Sequence, residues 1–148
     1  MKDSLKIRGT ITARLFGPDG ELKQETVSEN IITNVGRTMI IDRLQGATPA
    51  VADYLAIGTG ATAAAAADTA LQTEVARAAG SLTQSDHYTD RLTYTFGAGV
   101  GTGTITEAGR LNAASVGSLM ARGILGASVV KTAADSLQMT YDLTYAAS

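Results

Sequence analysis

The sequence predicts an all-β fold of antiparallel strands, a β-sandwich of jelly-roll-like form or a related barrel, with one short helix near residues 34–45. Three observations predict it. Side chains alternate between apolar and polar at both ends of the chain, glycine and proline punctuate short runs throughout, and a single segment has helical spacing. At 148 residues the chain fits one domain over 1–148, long enough to fold without metal or disulfide staples.

From Ser4 to Phe16, Leu5, Ile7, Ile11, Ala13 and Leu15 fall on one face, and Lys6, Arg8, Thr10, Thr12 and Arg14 fall on the other. Gly9 interrupts the buried row, where a bulge or close crossing fits. Gly17-Pro18-Asp19-Gly20 is a turn, and the chain returns through Glu21 to Ser28, giving an N-terminal hairpin over about 4–28. Val35, Met39, Ile40 and Leu44 then recur at helical spacing. Thr33 or Asn34 caps the start of this helix, and Gly46 ends it in a left-handed conformation. Gly36 costs it about 1 kcal/mol relative to alanine, so packing must hold it in place.

A short buried strand, Asp53 to Ile57, runs into Gly58-Thr59-Gly60 and the alanines Ala63 to Ala67. Five alanines are too few for a free-standing helix. The stretch reads as loop, with a helical turn around Asp68 to Glu74 and a further strand from Val75 to Thr83. Leu92, Tyr94 and Phe96 alternate with Thr93 and Thr95. A glycine-rich loop from Gly97 to Gly103 leads to strands at Thr104–Glu107 and Ser118–Leu125. In the last strand Leu137, Met139, Tyr141, Leu143 and Tyr145 share one face. Seven or eight strands result, antiparallel because the connections are too short for helical crossovers. No internal repeat is present.

Composition narrows the function. Without cysteine there is no zinc-thiolate site, iron–sulfur cluster, disulfide or cysteine nucleophile. The chain reads as soluble and non-secreted. No run is long and apolar enough for a membrane helix, and MKDSLKIRGT carries charge where a signal peptide is apolar. Net charge is −2 and the basic residues are scattered, unlike the stripe of a nucleic-acid binder. Charged residues make up 18%, against about 25% in an average domain. Either partners cover much of the surface in use, or the outer faces are simply threonine-rich.

No residue pattern argues for catalysis. In Gly97 to Gly103 the position of a third dinucleotide glycine holds threonine, and a strand follows where a phosphate loop would open a helix. Those glycines read as a hairpin tip or a close backbone approach to a neighbour. His87, the one histidine, lies beside Asp86 and Asp90 in what reads as an exposed loop. Ser81, Ser85, Ser115 and Ser118 lack a nucleophile-elbow setting. The carboxylates Asp19, Glu21, Glu25 and Glu29 are dispersed, and no pairing is singled out. With no tryptophan and two phenylalanines a stacking platform is poorly supplied, and Tyr141 and Tyr145 are assigned to core packing. No catalytic, cofactor-binding or metal-binding residue is therefore assigned.

The order of several motifs resembles a known group. N-V-G-R-T-M-I-I-D-R-L is followed by Y-L-A-I-G-T-G, an alanine-rich gap, D-T-A-L-Q-T-E-V-A-R, Y-T-F-G-A-G-V-G-T-G-T-I-T-E-A-G and L-Q-M-T-Y-D-L-T-Y, together running from Asn34 to Tyr145. This order resembles small virion structural proteins of tailed bacteriophages. One departure is plain: such proteins often carry proline in the gap filled here by Ala63 to Ala67, which leaves the conformation of that loop open. The resemblance implies a non-enzymatic particle component, assembled in the host cytoplasm. The expected role is a capsid decoration (cement) protein, a homo-oligomer bridging major capsid subunits or other virion proteins, with no nucleic acid or membrane partner. The alternatives are a tail, neck or baseplate component and, from another class, a carbohydrate- or receptor-binding module. A cell-wall hydrolase ranks last. The hairpin Leu5–Val27, for its strand edge, and the loop Gly58–Asp68, for its small side chains, are the expected partner-facing segments.

Overall fold

The two clearest alternating segments of the sequence become neighbours. In a computed structural model, which describes residues 4–147, Leu5–Phe16 forms β1 and Ser136–Ala147 forms β9. They pair antiparallel along their whole length, Leu5 against Ala147 and Phe16 against Ser136. Between them lie β2 (Leu22–Ile32), α1 (Asn34–Leu44), β3 (Tyr54–Gly58), β4 (Glu74–Ala79), β5 (Ser81–Gln84), β6 (Thr89–Phe96), β7 (Gly103–Leu111) and β8 (Leu119–Lys131). The sheet order is β4-β3-β7-β8-β2-β1-β9-β6-β5, every pair antiparallel. The sheet rolls into a nearly closed barrel, which makes the fold all-β with one short helix.

The end strands β4 and β5 are two halves of one stretch of chain. Val75–Thr83, expected as a single strand, breaks at Gly80, pairing with β3 before it and β6 after it. The Gly80 N–H donates to the Asp53 carbonyl at 2.8 Å. A Cβ at Gly80 would lie 2.7 Å from the Thr93 carbonyl oxygen, so the corner admits only glycine.

The second corner, between β2 and β8, closes differently. Only Ile31 and Ile32 pair with β8, at Arg122 and Ala121. Further along β2 the residues opposite the buried Ile11, Ala13 and Leu15 are Ser28, Thr26 and Gln24. The Ser28 hydroxyl accepts from the Gly126 N–H at 2.7 Å, and the Gln24 amide donates to the Ser128 carbonyl at 3.0 Å. Polar side chains thus take up β8 backbone groups that a ladder would otherwise satisfy. Gly9 is explained here too: the Asn30 side chain occupies the space its Cβ would need.

Ile11, Leu15, Leu55, Ile57, Leu92, Phe96, Ile105, Val129, Leu137, Met139 and Tyr141 fill the barrel and are almost wholly buried. Each contributes roughly 1.5–3 kcal/mol of burial. Tyr141 is wholly core and Tyr145 packs partly against it, as expected. The helix has the expected bounds. Thr33 is its N-cap, accepting from the Gly36 N–H at 3.0 Å, and Gly46 follows its end at φ 84°. Met39 is buried, while Ile41 and Leu44 on its far side are exposed.

Four expectations are corrected. Asp68–Glu74 contains no helical turn: the Gln72 and Thr73 N–H groups go to the Glu107 carboxylate, and the Asp68 N–H to the Ala65 carbonyl. The loop Gly97–Gly103 is not a hairpin tip: it joins β6 to β7, which do not pair, and Gly101 lies so close to Ile57 that a Cβ would sit 2.6 Å from its Cδ1. Leu5 obeys the alternation yet is 67% exposed, because it lies at the end of the sheet. Splitting at Gly80 raises the strand number to nine.

Gly36→Ala tests the helix packing. Alanine gains about 1 kcal/mol of helix propensity, but its Cβ would overlap the Met120 carbonyl oxygen. Overpacking of this kind costs about 1–3 kcal/mol. Denaturant unfolding should show a net loss of stability; a more stable variant would disprove the close approach of α1 to β8.

Candidate functional site

The hairpin formed by β3 and β4 carries a long loop, residues 59–73, folded over the outer face of β3, β7 and β8. Register fixes that face. Gly58 pairs with Glu107, Ala56 with Gly109 and Tyr54 with Leu111, while β8 places Arg122 beside Gly109 and Leu119 beside Leu111. Paired residues point to the same side of a sheet, so Glu107, Arg122, Leu111 and Leu119 all face outward. A bulge between Ile105 and Glu107 sets this phase: Ile105 and Ala108 both enter the core, and Glu107 turns out. Leu71, from the loop, packs on Ala56, Leu111 and Leu119 as a second small core. Glycine makes room for the loop. A Cβ at Gly58 would lie 2.5 Å from the Thr73 carbonyl, and one at Gly109 2.5 Å from Leu71 Cδ1.

Under the loop sits an ion pair sealed from water. Glu107 is 0% and Arg122 2% exposed. Glu107 Oε1 accepts from Thr73 N at 2.7 Å and Gly60 N at 3.1 Å; Oε2 accepts from Gln72 N at 3.0 Å and Arg122 Nε at 2.8 Å. Arg122 in turn donates to the Thr62 carbonyl at 2.9 Å and pairs with Asp68 at 2.9 Å. The Asp68 carboxylate accepts from Ala65 N at 2.9 Å, the Gln72 side chain from Thr62 N at 2.8 Å, and the Gly60 carbonyl from the Thr106 hydroxyl at 2.7 Å. The Ala66 carbonyl accepts from Asn34 N at 2.7 Å, tying the loop to the start of α1. A loop of small residues is thereby held at nearly every turn, with Ala61, Ala63, Ala65 and Ala67 exposed.

Electrostatics follow from these partners. Burial opposes ionisation of Glu107, but the N–H groups of Thr73 and Gln72 and the Arg122 guanidinium outweigh it and hold its carboxyl below the ordinary range. Asp68 is held low by the Ala65 N–H, against some desolvation, with help from Arg122. Both oxygens of Glu107 are engaged and water is excluded, so the arrangement serves as a clamp and not as a proton-transfer site. In the connection from β8 to β9 Asp135 is lowered to about 2 by the Thr132 N–H, Lys23 and the Thr132 hydroxyl.

The other residues weighed from the sequence are not gathered into one site. His87 is exposed, with the Tyr88 ring edge-on at 6.2 Å. Ser81 lies on β5, Ser85 in the turn after it, and Ser115 and Ser118 between β7 and β8. Glu25 pairs with Arg14 on the outer face at 2.6 Å, while Asp19 and Glu21 occupy the β1–β2 turn. Among the described residues no group of three or more histidine, cysteine or carboxylate side chains could hold a metal. Of the two expected partner-facing segments, the loop Gly58–Asp68 lies outside on its clamp. In the hairpin Leu5–Val27, β1 lies between β2 and β9, so only β2 borders an incomplete pairing.

Sequence reasoning missed Glu107, Arg122 and Asp68. A signal existed: opposite charges embedded in the apolar strands T-I-T-E-A-G-R-L and L-M-A-R-G-I-L. Charge inside a strand that is otherwise buried demands a partner. Compared with known proteins, the chain matches no protein-family model, no curated protein and no solved structure.

Glu107→Gln should cost about 3 kcal/mol at neutral pH, because it leaves the buried Arg122 short of its counter-charge. The folded-state pKa values of Glu107 and Asp68 lie below their unfolded values, so their stabilisation is present above the ordinary carboxylate range. It is lost as pH falls through the lowered values. Melting curves taken from neutral to strongly acidic pH should show the gap between wild type and Glu107→Gln narrowing below that range. A gap independent of pH would count against the clamp.

Proposed function

We propose that this chain is a non-enzymatic structural protein of a tailed-phage virion, a capsid decoration (cement) protein that bridges major capsid subunits and works as a homo-oligomer. The clamped loop carries the reading. Burying Glu107 and Arg122 is expensive in desolvation, and the return is one fixed conformation for a loop presenting alanines outward. A surface fixed before contact loses little conformational entropy on binding, and small side chains let a partner's backbone approach closely. Chemistry needs none of this; repeated docking does.

Two further features support it. Across the outer face of β2, β1, β9, β6 and β5 one register row reads Val27, Thr12, Thr140, Thr93 and Ser81, without a charge. The cations Arg14, Lys23, Arg77, Arg91, Arg110 and Arg122, half of the chain's 12, are engaged in internal ion pairs and are not free to hold phosphate, while Lys6, Arg8, Arg37 and Arg43 stay exposed. The motif order from Asn34 to Tyr145 resembles virion proteins, and the setting implied is the virion, assembled in the host cytoplasm without membrane contact. Several modest contacts made at once would hold each copy through avidity.

The test is co-sedimentation with purified tailed particles, followed by heat and osmotic challenge of particles that lack the chain. Loss of resistance with tails still attached is the expected result. Tailless or non-adsorbing particles of normal robustness would assign the chain to the tail, neck or baseplate, and absence from particles would end the reading. Ala61→Glu and Ala67→Glu, at exposed positions, should leave stability within about 0.5 kcal/mol. They should weaken attachment at least about tenfold. Unchanged attachment would move the docking surface off this loop.

A further inference from the structure

A second surface, remote in chemistry from the alanine loop, surrounds the turn between β5 and β6. Tyr88 stands out of this turn with 68% of its surface exposed. It is nonetheless held firmly. Asp86 accepts from the Tyr88 N–H at 2.7 Å and the Thr89 hydroxyl at 3.1 Å, Ser85 N donates to the Thr89 carbonyl at 3.0 Å, and Tyr145 N donates to the Tyr88 carbonyl at 2.9 Å. Two clefts border this residue. One, of about 350 Å³, is bordered by Gln84, His87, Tyr88, Thr89, Asp90 and Tyr145. The other, of about 420 Å³, is bordered by Asp86, Tyr88, Thr144, Tyr145 and Ala146. Both fall within the size of small-ligand sites.

The groups facing the first cleft have a definite chemistry. Arg110 Nη2 holds one Asp90 oxygen, Oδ2, at 2.8 Å, while the Asp90 side chain remains 40% exposed. That pairing also uses the nearest cation internally, so the cleft does not favour an anion. Gln84 supplies an amide that can donate and accept, and His87 and the two phenols add further polar positions. Exposed aromatic rings beside a mixed set of donors and acceptors fit a ligand with one apolar face and a rim of hydroxyls. A pyranose is such a ligand: its axial C–H groups lie flat on a ring, and its equatorial hydroxyls both donate and accept. Two clefts sharing one aromatic wall fit consecutive rings of a chain better than a lone sugar.

We propose that Tyr88, with Gln84 and Asp90, forms a binding subsite for uncharged saccharides. The C–H face of one ring stacks on Tyr88, and its hydroxyls reach the Gln84 amide and Asp90 Oδ1. The site is independent of the docking role of the alanine loop and stands or falls without it.

The test is a chemical-shift titration of the full-length, isotopically labelled chain with methyl glycosides of glucose, galactose, mannose, rhamnose and N-acetylglucosamine, and with oligosaccharides of each. At least one should give saturable shifts confined to residues 84–90 and 144–146, with Kd in the millimolar range. Tyr88→Ala should weaken that binding at least about tenfold, while Tyr88→Phe keeps it near wild type and Gln84→Ala weakens it by a smaller factor. Melting temperatures should be unchanged, since Tyr88 is exposed. The proposal is overturned by the absence of saturable shifts with every probe, by shifts that map elsewhere, or by wild-type binding in Tyr88→Ala. Saturable binding of anionic sugars alone would overturn it as well.

Discussion

A carboxylate sealed from water is tolerable only when its lone pairs are engaged, and Glu107 meets that condition by drawing a loop over itself. Much of one side of the molecule follows from that requirement. The bulge before Glu107 turns it outward, the glycines at 58 and 109 open space above the sheet, and Arg122 on the next strand supplies the counter-charge. The N–H groups of Gly60, Gln72 and Thr73 then have to come to it, which fixes both ends of the loop. Asp68 and the Thr62 carbonyl complete the guanidinium from above. What remains outside is a run of alanines whose geometry the interior has already decided.

The same economy governs the barrel's corners. A closed sheet has no edge to leave unpaired, yet neither corner here is closed by an ordinary ladder. At one, a glycine lets a single segment change partners; at the other, serine and glutamine side chains replace main-chain bonds. Inside, Arg110 is buried near the Tyr141 ring, with its Nε on the Ala52 carbonyl and one amino group on Asp90. Burial pushes the Tyr141 phenol far up, so it stays neutral. Polar groups are thus placed where the strands turn or end, and the middle of the barrel is left to aliphatic and aromatic packing.

Those two tactics explain what was legible in the sequence. Where one face is wholly apolar and the other wholly polar, as in Ser136–Tyr145, alternation alone places every side chain. The helix was readable for a similar reason, since its cap at Thr33 and its stop at Gly46 are local signals. β2 was legible only as the return of a hairpin: its inward row of Gln24, Thr26 and Ser28 reads as solvent-facing, because its partners are backbone groups on a distant strand. The charges of the clamp stand out within apolar strands, but their pairing was not legible, because bulges shift the alternation of β7 and β8 and the partners of Glu107 lie on a loop and a strand that only the fold brings together. Asp68–Glu74 reads as helical since nothing local announces that the N–H groups of Gln72 and Thr73 go to Glu107.

The pairing of β1 with β9 carries a consequence for how the molecule is made. Leu5 lies beside Ala147, so the central ladder of the barrel forms only after every strand from β2 to β8 has been made. Until then β1 is paired on one side alone, by β2, which sets Ser28, Thr26 and Gln24 opposite its apolar row. Contacts so distant along the chain form slowly. During that interval the open side of β1 in one copy can take up the β9 of another, and exchange of β9 between copies becomes a natural misassembly.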